Sequence, residues 1–492
     1  MIAHVRGKVP VSQRATSSKP HLLQRLGLWI FVLSIPLQGQ GWEAGITVNL
    51  ALLGGVFFVL THLRLLTRHR FRTSDRLFLA FLWVAALSIV INALCPQPLT
   101  MTFSEELRWG MARSLVHLLR FVLLYAVYAC ARSALEVYST GLSRFFRAFR
   151  VMVLLVFIYG SYQLIGGFFD WPFLSLNNLH DAGFVYRTRF FDSGTVRVFA
   201  TFWEPKHYGQ FLIGAILLLT GHYIVRRQTS RSQELRLIGP PPSLGQIILV
   251  LGLLFHLVMS FSRASLIAFV VVAGFLLTSQ RRVRVYSLRI TAGFLVAFLL
   301  SFQFLLKVPV ASGFQVLLRS YLAPRGTISF NLQRSLVALE AVRSRPVLGY
   351  GLGGLVFASE DLQGRLPPWA RTELFNAPDI FSYLLSGCGI AGTLLFLLFV
   401  ASILIRAWRA LRILDASSRT FEASFLVFVF SGVVGVWMQF ATLASWNEVY
   451  VFLLLAVLDA LTTRLLGPHT ESRIVGGRRS KPMVTVRGSR PA

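Results

Sequence analysis

The chain has 492 residues, 55% of them hydrophobic and only 14% charged. A soluble domain carries about 25% charged residues, so most soluble folds are excluded, and the wealth of Leu, Val, Ile and Phe excludes a disordered chain. Lys and Arg number 49 against 20 Asp and Glu, for a net charge of +29. These charges fall between apolar blocks rather than on one polar face, which points to a membrane protein and away from nucleic acid.

A bilayer core about 30 Å thick takes about 20 apolar residues as helix. Twelve blocks of this kind follow in chain order: 22–38, 45–63, 77–94, 115–131, 151–168, 207–224, 245–261, 264–279, 290–306, 380–404, 421–441 and 446–463. The expectation is an all-α polytopic membrane protein with about 12 transmembrane helices. A basic cytoplasmic N-terminus spans 1–21, the membrane domain 22–464, and a basic, disordered cytoplasmic tail 465–492. The first block follows basic residues, but no small-residue cleavage site comes after it, so it reads as an uncleaved anchor.

The distribution of Lys and Arg tests this count. With the N-terminus in the cytoplasm, the inward segments 1–25, 64–76, 132–150, 225–244, 280–289, 405–420 and 464–492 hold 33 of the 49 basic residues. Every one of them is basic, as the positive-inside rule requires. Both termini are then cytoplasmic. Cys95, Cys130 and Cys388 lie far apart and form neither a metal-binding spacing nor a disulfide framework. No metal and no other cofactor is expected.

Two outward segments, 169–206 and 307–379, are long and break the charge rule. The second carries Arg319, Arg325 and Arg334 among others. It also contains a helix over 330–344, with Leu332, Leu336 and Leu339 on one side and Pro346 closing it. The first carries Arg197 and Lys206. Long loops cross membranes whatever their charge, yet a set of outward Arg also makes an anion site, because the guanidinium fork matches phosphate oxygens.

Two junctions are sharper. At Ser260-Phe-Ser-Arg-Ala-Ser265, Ser262 is a good N-cap and Arg263 opens the next helix. A cation there is locally unfavourable unless a bound anion offsets it; the alternative is that Arg263 reaches the lipid headgroups. At Glu204-Pro205-Lys206-His207, Pro205 suits a first helical turn. Glu204 is then either a helix cap paired on the surface or a general base held among cations. Gly349-Tyr-Gly-Leu-Gly-Gly354 looks like a phosphate loop but lacks a preceding strand, and reads as a turn with close backbone approach. His117, Arg120, His256, Glu448 and Asp459 are polar groups within apolar blocks and are functional candidates on that ground.

These stretches together resemble the O-antigen ligase and polymerase superfamily of bacterial lipid-linked glycosyltransferases. The resemblance covers about 190–400. It rests on Arg197 through Phe202-Trp-Glu204-Pro205, on Ser262-Arg263, on Arg334 through Arg345-Pro-Val-Leu-Gly-Tyr-Gly351, and on Gly389-Ile-Ala-Gly392. A His that ligases carry before that glycine pair is here Pro378, followed by Asp379. That departure and the Glu-Pro form at 204–205 favour a polymerase.

The resemblance implies a metal-independent enzyme in the bacterial inner membrane. It would polymerise undecaprenyl-diphosphate-linked repeat units into a surface or secreted polysaccharide on the outer face. Arg197, Lys206, Arg263, Arg319 and Arg325 would hold the diphosphate. Glu204 or Asp379 would be the base, and His207 and Arg334 would position donor and acceptor. The partners implied are the lipid-linked glycan, membrane lipid and a chain-length regulator, with no nucleic acid. The alternatives are a ligase transferring the glycan to lipid A core or another acceptor, and a lipid-linked oligosaccharide flippase or transporter.

Overall fold

The computed structural model describes residues 20–37, 41–43, 47–67, 69, 71–94, 110–138, 140–169, 198–202, 205–228, 244–279, 281–300, 327–354, 362, 364–365, 368, 379–416, 420–441 and 448–466. Thirteen α-helices are found there: α1 (Leu22–Ser34), α2 (Leu50–Leu66), α3 (Thr73–Leu94), α4 (Gly110–Val137), α5 (Gly141–Phe168), α6 (Pro205–Gln228), α7 (Leu244–Met259), α8 (Arg263–Thr278), α9 (Arg281–Leu300), α10 (Thr327–Ser344), α11 (Ile380–Ala416), α12 (Thr420–Met438) and α13 (Val449–Leu466). Among the described residues, one feature departs from the all-helical expectation. It is an antiparallel pair of three-residue strands, β1 (Gly41–Glu43) and β2 (Thr47–Asn49), which leads into α2. Asn49 then caps α2, its side chain accepting from the Leu52 N–H at 2.8 Å.

Six helices are long and apolar enough to cross a membrane, and five more are apolar but shorter. The outer surface supports the same environment. Trp83 is 77% exposed and Leu155 on α5 and Ile267 on α8 are also open, a distribution that water would penalise and lipid would not. At the centre lies α13, in which every residue from Val449 to Thr462 is buried. A helix that is apolar on all sides belongs inside a bundle. It packs against α4, α11 and α12, while α6 packs on α12 and α3 on α11.

Several helices run past their apolar blocks at the basic ends. The block at 151–168 belongs to α5, which begins ten residues earlier at Gly141. The added turns are amphipathic: Phe145, Phe146, Ala148 and Phe149 are buried while Arg147 is exposed. Arg132, expected in an inward loop, lies instead within α4 and is 1% exposed. Its guanidinium bonds Asp75 at 3.0 Å and Asp459 at 3.2 Å. His69, Arg72, Tyr128 and Arg406 complete the network, which ties α3, α4, α11 and α13 together at one end of the bundle.

The helix expected at 330–344 is α10, but its buried face differs. Val337, Ala338 and Ala341 are inside with Leu362, whereas Leu339 is 48% exposed. Small residues allow close approach to α11, and Leu339 turns away. The glycine run after α10 is a turn, with Gly349, Gly351 and Gly353 all at positive φ. It lies along a break in α11 at Cys388–Gly389, where Gly389 has φ +63. Four backbone bonds join the two segments: Tyr350 N–H to Ser386 O, Gly351 N–H to Gly387 O, Ile390 N–H to Pro346 O and Ala391 N–H to Val347 O. The unwound helix thereby keeps its polar groups satisfied away from water.

Candidate functional site

At the opposite end of the bundle from the Arg132 network, the first turns of α6, α8 and α13 meet the last turns of α5, α7 and α12. The contact between α6 and α8 is set by Gly209. A side chain there would press into Ser265 Oγ and Ser262 Cβ, so only glycine lets the two helix starts touch. Ser265 Oγ donates to Gln439 Oε1 at 2.6 Å, which brings in the end of α12. His207 Nδ1 meets Glu448 Oε1 at 2.8 Å, which brings in the start of α13. The pair is nearly buried but still touches the exterior, at 12% and 8% exposure.

The turns leading into both helices are strained. Ala200 has φ +48 and Phe261 has φ +47, the two positive-φ residues other than glycine among those described. A side chain in this left-handed region costs about 1–3 kcal/mol and persists only where its surroundings hold it. Gln163 on α5 supplies that hold for Ala200. Its amide accepts from the Ala200 N–H at 2.8 Å and donates to the Ala200 carbonyl at 2.8 Å. The Val198 N–H donates to Met259 O at 3.2 Å and fastens the same turn to the end of α7. Beneath it, Tyr208 and His256 share a hydrogen bond at 2.7 Å, and His256 reaches Ser161 on α5 at 3.1 Å. His256 is therefore a cross-link between α5, α6 and α7.

The structure places the expected residues unevenly. Lys206 and His207 lie on the first turn of α6, which opens on Pro205 as expected. Arg263 is the first residue of α8, half-buried, with Ser262 at the N-cap position. The Ser262 side chain does not cap the helix, contrary to expectation; it bonds Ser265 Oγ at 2.6 Å instead. The first-turn N–H groups of α8 thus lack a cap from Ser262, which suits an anion beside Arg263.

Asp379 caps α11, its two oxygens accepting from the Ser382 N–H at 2.9 Å and the Ser382 hydroxyl at 2.7 Å. That arrangement gives Asp379 a structural part as a helix cap. Arg197, Glu204, Arg319 and Arg325 lie outside the described residues, as does the side chain of Arg334 within α10. Sequence reasoning singled out Glu448 as a polar residue in an apolar block but did not connect it to His207, 241 positions away. Gln163 and Gln439 gave no signal, since a single amide near a helix end is common.

A second polar group lies between α4 and α11, where His117 Nδ1 meets Tyr383 Oη at 2.8 Å and Gly353 packs on the His117 ring. Among the described residues, no three of His, Cys, Asp and Glu come together in a way that could hold a metal ion. Cys130 and Cys388 are buried free thiols. Neither a protein-family model nor any curated protein matches the chain.

Proposed function

We propose that this chain is a glycosyltransferase of the inner membrane that polymerises undecaprenyl-diphosphate-linked repeat units on the outer face. It would cross the membrane twelve times with both termini in the cytoplasm. The observation that carries the reading is the meeting of two helix N-termini, bearing Lys206 and Arg263, beside the His207–Glu448 pair. Helix N-termini and a guanidinium attract a diphosphate, and a His held by a carboxylate is a general base.

The reaction joins an acceptor sugar hydroxyl to the donor's anomeric carbon, breaking the bond from that carbon to the diphosphate oxygen. With His207 Nδ1–H donating to Glu448, Nε2 takes the hydroxyl proton. The diphosphate leaves with the bonding electrons, and Arg263 and Lys206 stabilise its developing charge. Arg197, Arg319 and Arg325 would add to this clamp. Glu204, next to Pro205, is the other carboxylate close enough in sequence to serve the same mouth.

The test is a glycan gel of a deletion strain complemented with wild type, Arg263→Ala or Glu448→Gln, with the lipid-linked pool extracted from each. The variants should insert normally yet leave single repeats on their carrier. Long chains stranded on the carrier would instead identify a ligase. Repeats held on the cytoplasmic leaflet would identify a flippase and overturn the proposal. Arg325→Cys, in a Cys95→Ser background, should react with an impermeant thiol reagent from outside; labelling from the cytoplasm alone would overturn the topology.

A further inference from the structure

At the end of the bundle that holds the Arg132 network, a groove opens between α1, α2, α4 and α5. It is shallow, with a cavity volume of about 30 Å³, and is open to the outside. Its inner wall is apolar, formed by Leu28, Phe58, Ala131 and Phe145, while Arg25 and Arg144 stand at its rim. No carboxylate lines it among the described residues. Arg144 lies within electrostatic reach of both Arg25 and Arg147. Its Nη1 is buried and has no hydrogen-bond partner among the described residues.

Like charges held together around an unpaired buried donor call for an anion. The chain's own N-terminal segment does not supply it, since residues 1–21 contain four Lys or Arg and neither Asp nor Glu. The face of α1 beside Arg25 exposes Leu22 and Leu26, at 78% and 47%. An occupant must therefore be anionic at the rim and apolar below it.

We propose that this groove is a binding site for an anionic phospholipid of the cytoplasmic leaflet. Its phosphate would be held by Arg25, Arg144 and Arg147, and its acyl chains would lie along α1. Basic recesses between helices on the cytoplasmic side recognise such headgroups. The site lies away from the His207–Glu448 mouth and is independent of the glycosyltransferase reading.

The experiment is lipid retention. Full-length protein is purified in mild detergent, exchanged into mixed micelles of phosphatidylglycerol and phosphatidylcholine, and its bound lipid is measured by mass spectrometry. Wild type should enrich phosphatidylglycerol at least about fivefold over the micelle. Arg25→Gln/Arg144→Gln should lose that enrichment while eluting as the same species on gel filtration, and Arg25→Lys/Arg144→Lys should keep most of it. Arg25→Gln alone, at an exposed position, provides the comparison if the double variant does not fold. Equal enrichment in wild type and the Gln variants would overturn the proposal. Full displacement of the lipid by millimolar inorganic phosphate would overturn it too, by revealing a bare anion site. Enrichment that appears only after deletion of residues 1–19 would show that this segment occupies the groove and would equally overturn it.

Discussion

The two ends of the helical bundle are both polar, and they are polar in different ways. At one end Arg132, Asp75 and Asp459 are sealed at 1% exposure or less, and each side chain is engaged by another. At the other, His207 and Glu448 stay partly open, the turns at Ala200 and Phe261 hold left-handed backbone, and the Ser262 side chain does not cap its helix. A closed ion network fixes how helices pack. An open one with strained approaches keeps capacity for something that is not part of the chain. Position within an apolar block does not separate the two cases; access and satisfaction do.

Substitutions should pull these ends apart, and the largest effect is expected at the sealed one. Arg132→Ala leaves Asp75 and Asp459 as buried charges short of a partner, a loss of about 3–5 kcal/mol. The yield of monodisperse protein on fluorescence-detected gel filtration should collapse; a normal yield would mean that the network is not structural. Next comes Gly209→Ala, which forces α6 off α8 at a cost of about 1–3 kcal/mol from overpacking. Polymer length should fall together with thermal stability.

At the open end, Glu448→Gln removes the carboxylate that orients the His207 base and should lower the polymerisation rate by up to about 100- to 10,000-fold, the range that general-base catalysis contributes. It should leave the melting temperature within a few degrees of wild type. A large drop in melting temperature would move Glu448 into the structural class with Arg132. The smallest effect is expected from Asp379→Ala, which removes a helix cap worth about 1 kcal/mol. It should cost stability and leave the rate per folded molecule unchanged. A rate as low as that of Glu448→Gln would return Asp379 to the chemistry.

Much of the architecture was legible in the chain. Each of the twelve apolar blocks overlaps a helix, because about 20 apolar residues between basic clusters leave the backbone few other ways to satisfy itself. The Pro205 and Arg263 helix starts were placed correctly by local residue types, although Ser262 does not make the cap expected of it, and the glycine turn at 349–354 was readable from its composition. Helix ends were less so. Hydropathy marks the lipid-facing length, whereas α5 and α11 continue as amphipathic helices that hydropathy alone does not see.

The site divides along the same line. Sequence identified His207, Arg263 and Glu448 one at a time, each on the chemistry of its own neighbourhood. It assigned the base to Glu204 or Asp379 because those stand near recognisable motifs. Only the tertiary structure brought Glu448 to His207 and placed Ser262 against Gly209, and it did so because α13 is buried on every side and carries Glu448, the residue just before it, to the mouth of α6. Arg132 is the converse case. A count of charges puts it in a loop, and packing draws it into the core, since two buried carboxylates from distant segments are there to receive it. Composition and local periodicity therefore settle which segments are helices and where charge is tolerated. Which polar groups meet, and whether they meet in a sealed core or at an open mouth, depends on contacts hundreds of residues apart that no local pattern encodes.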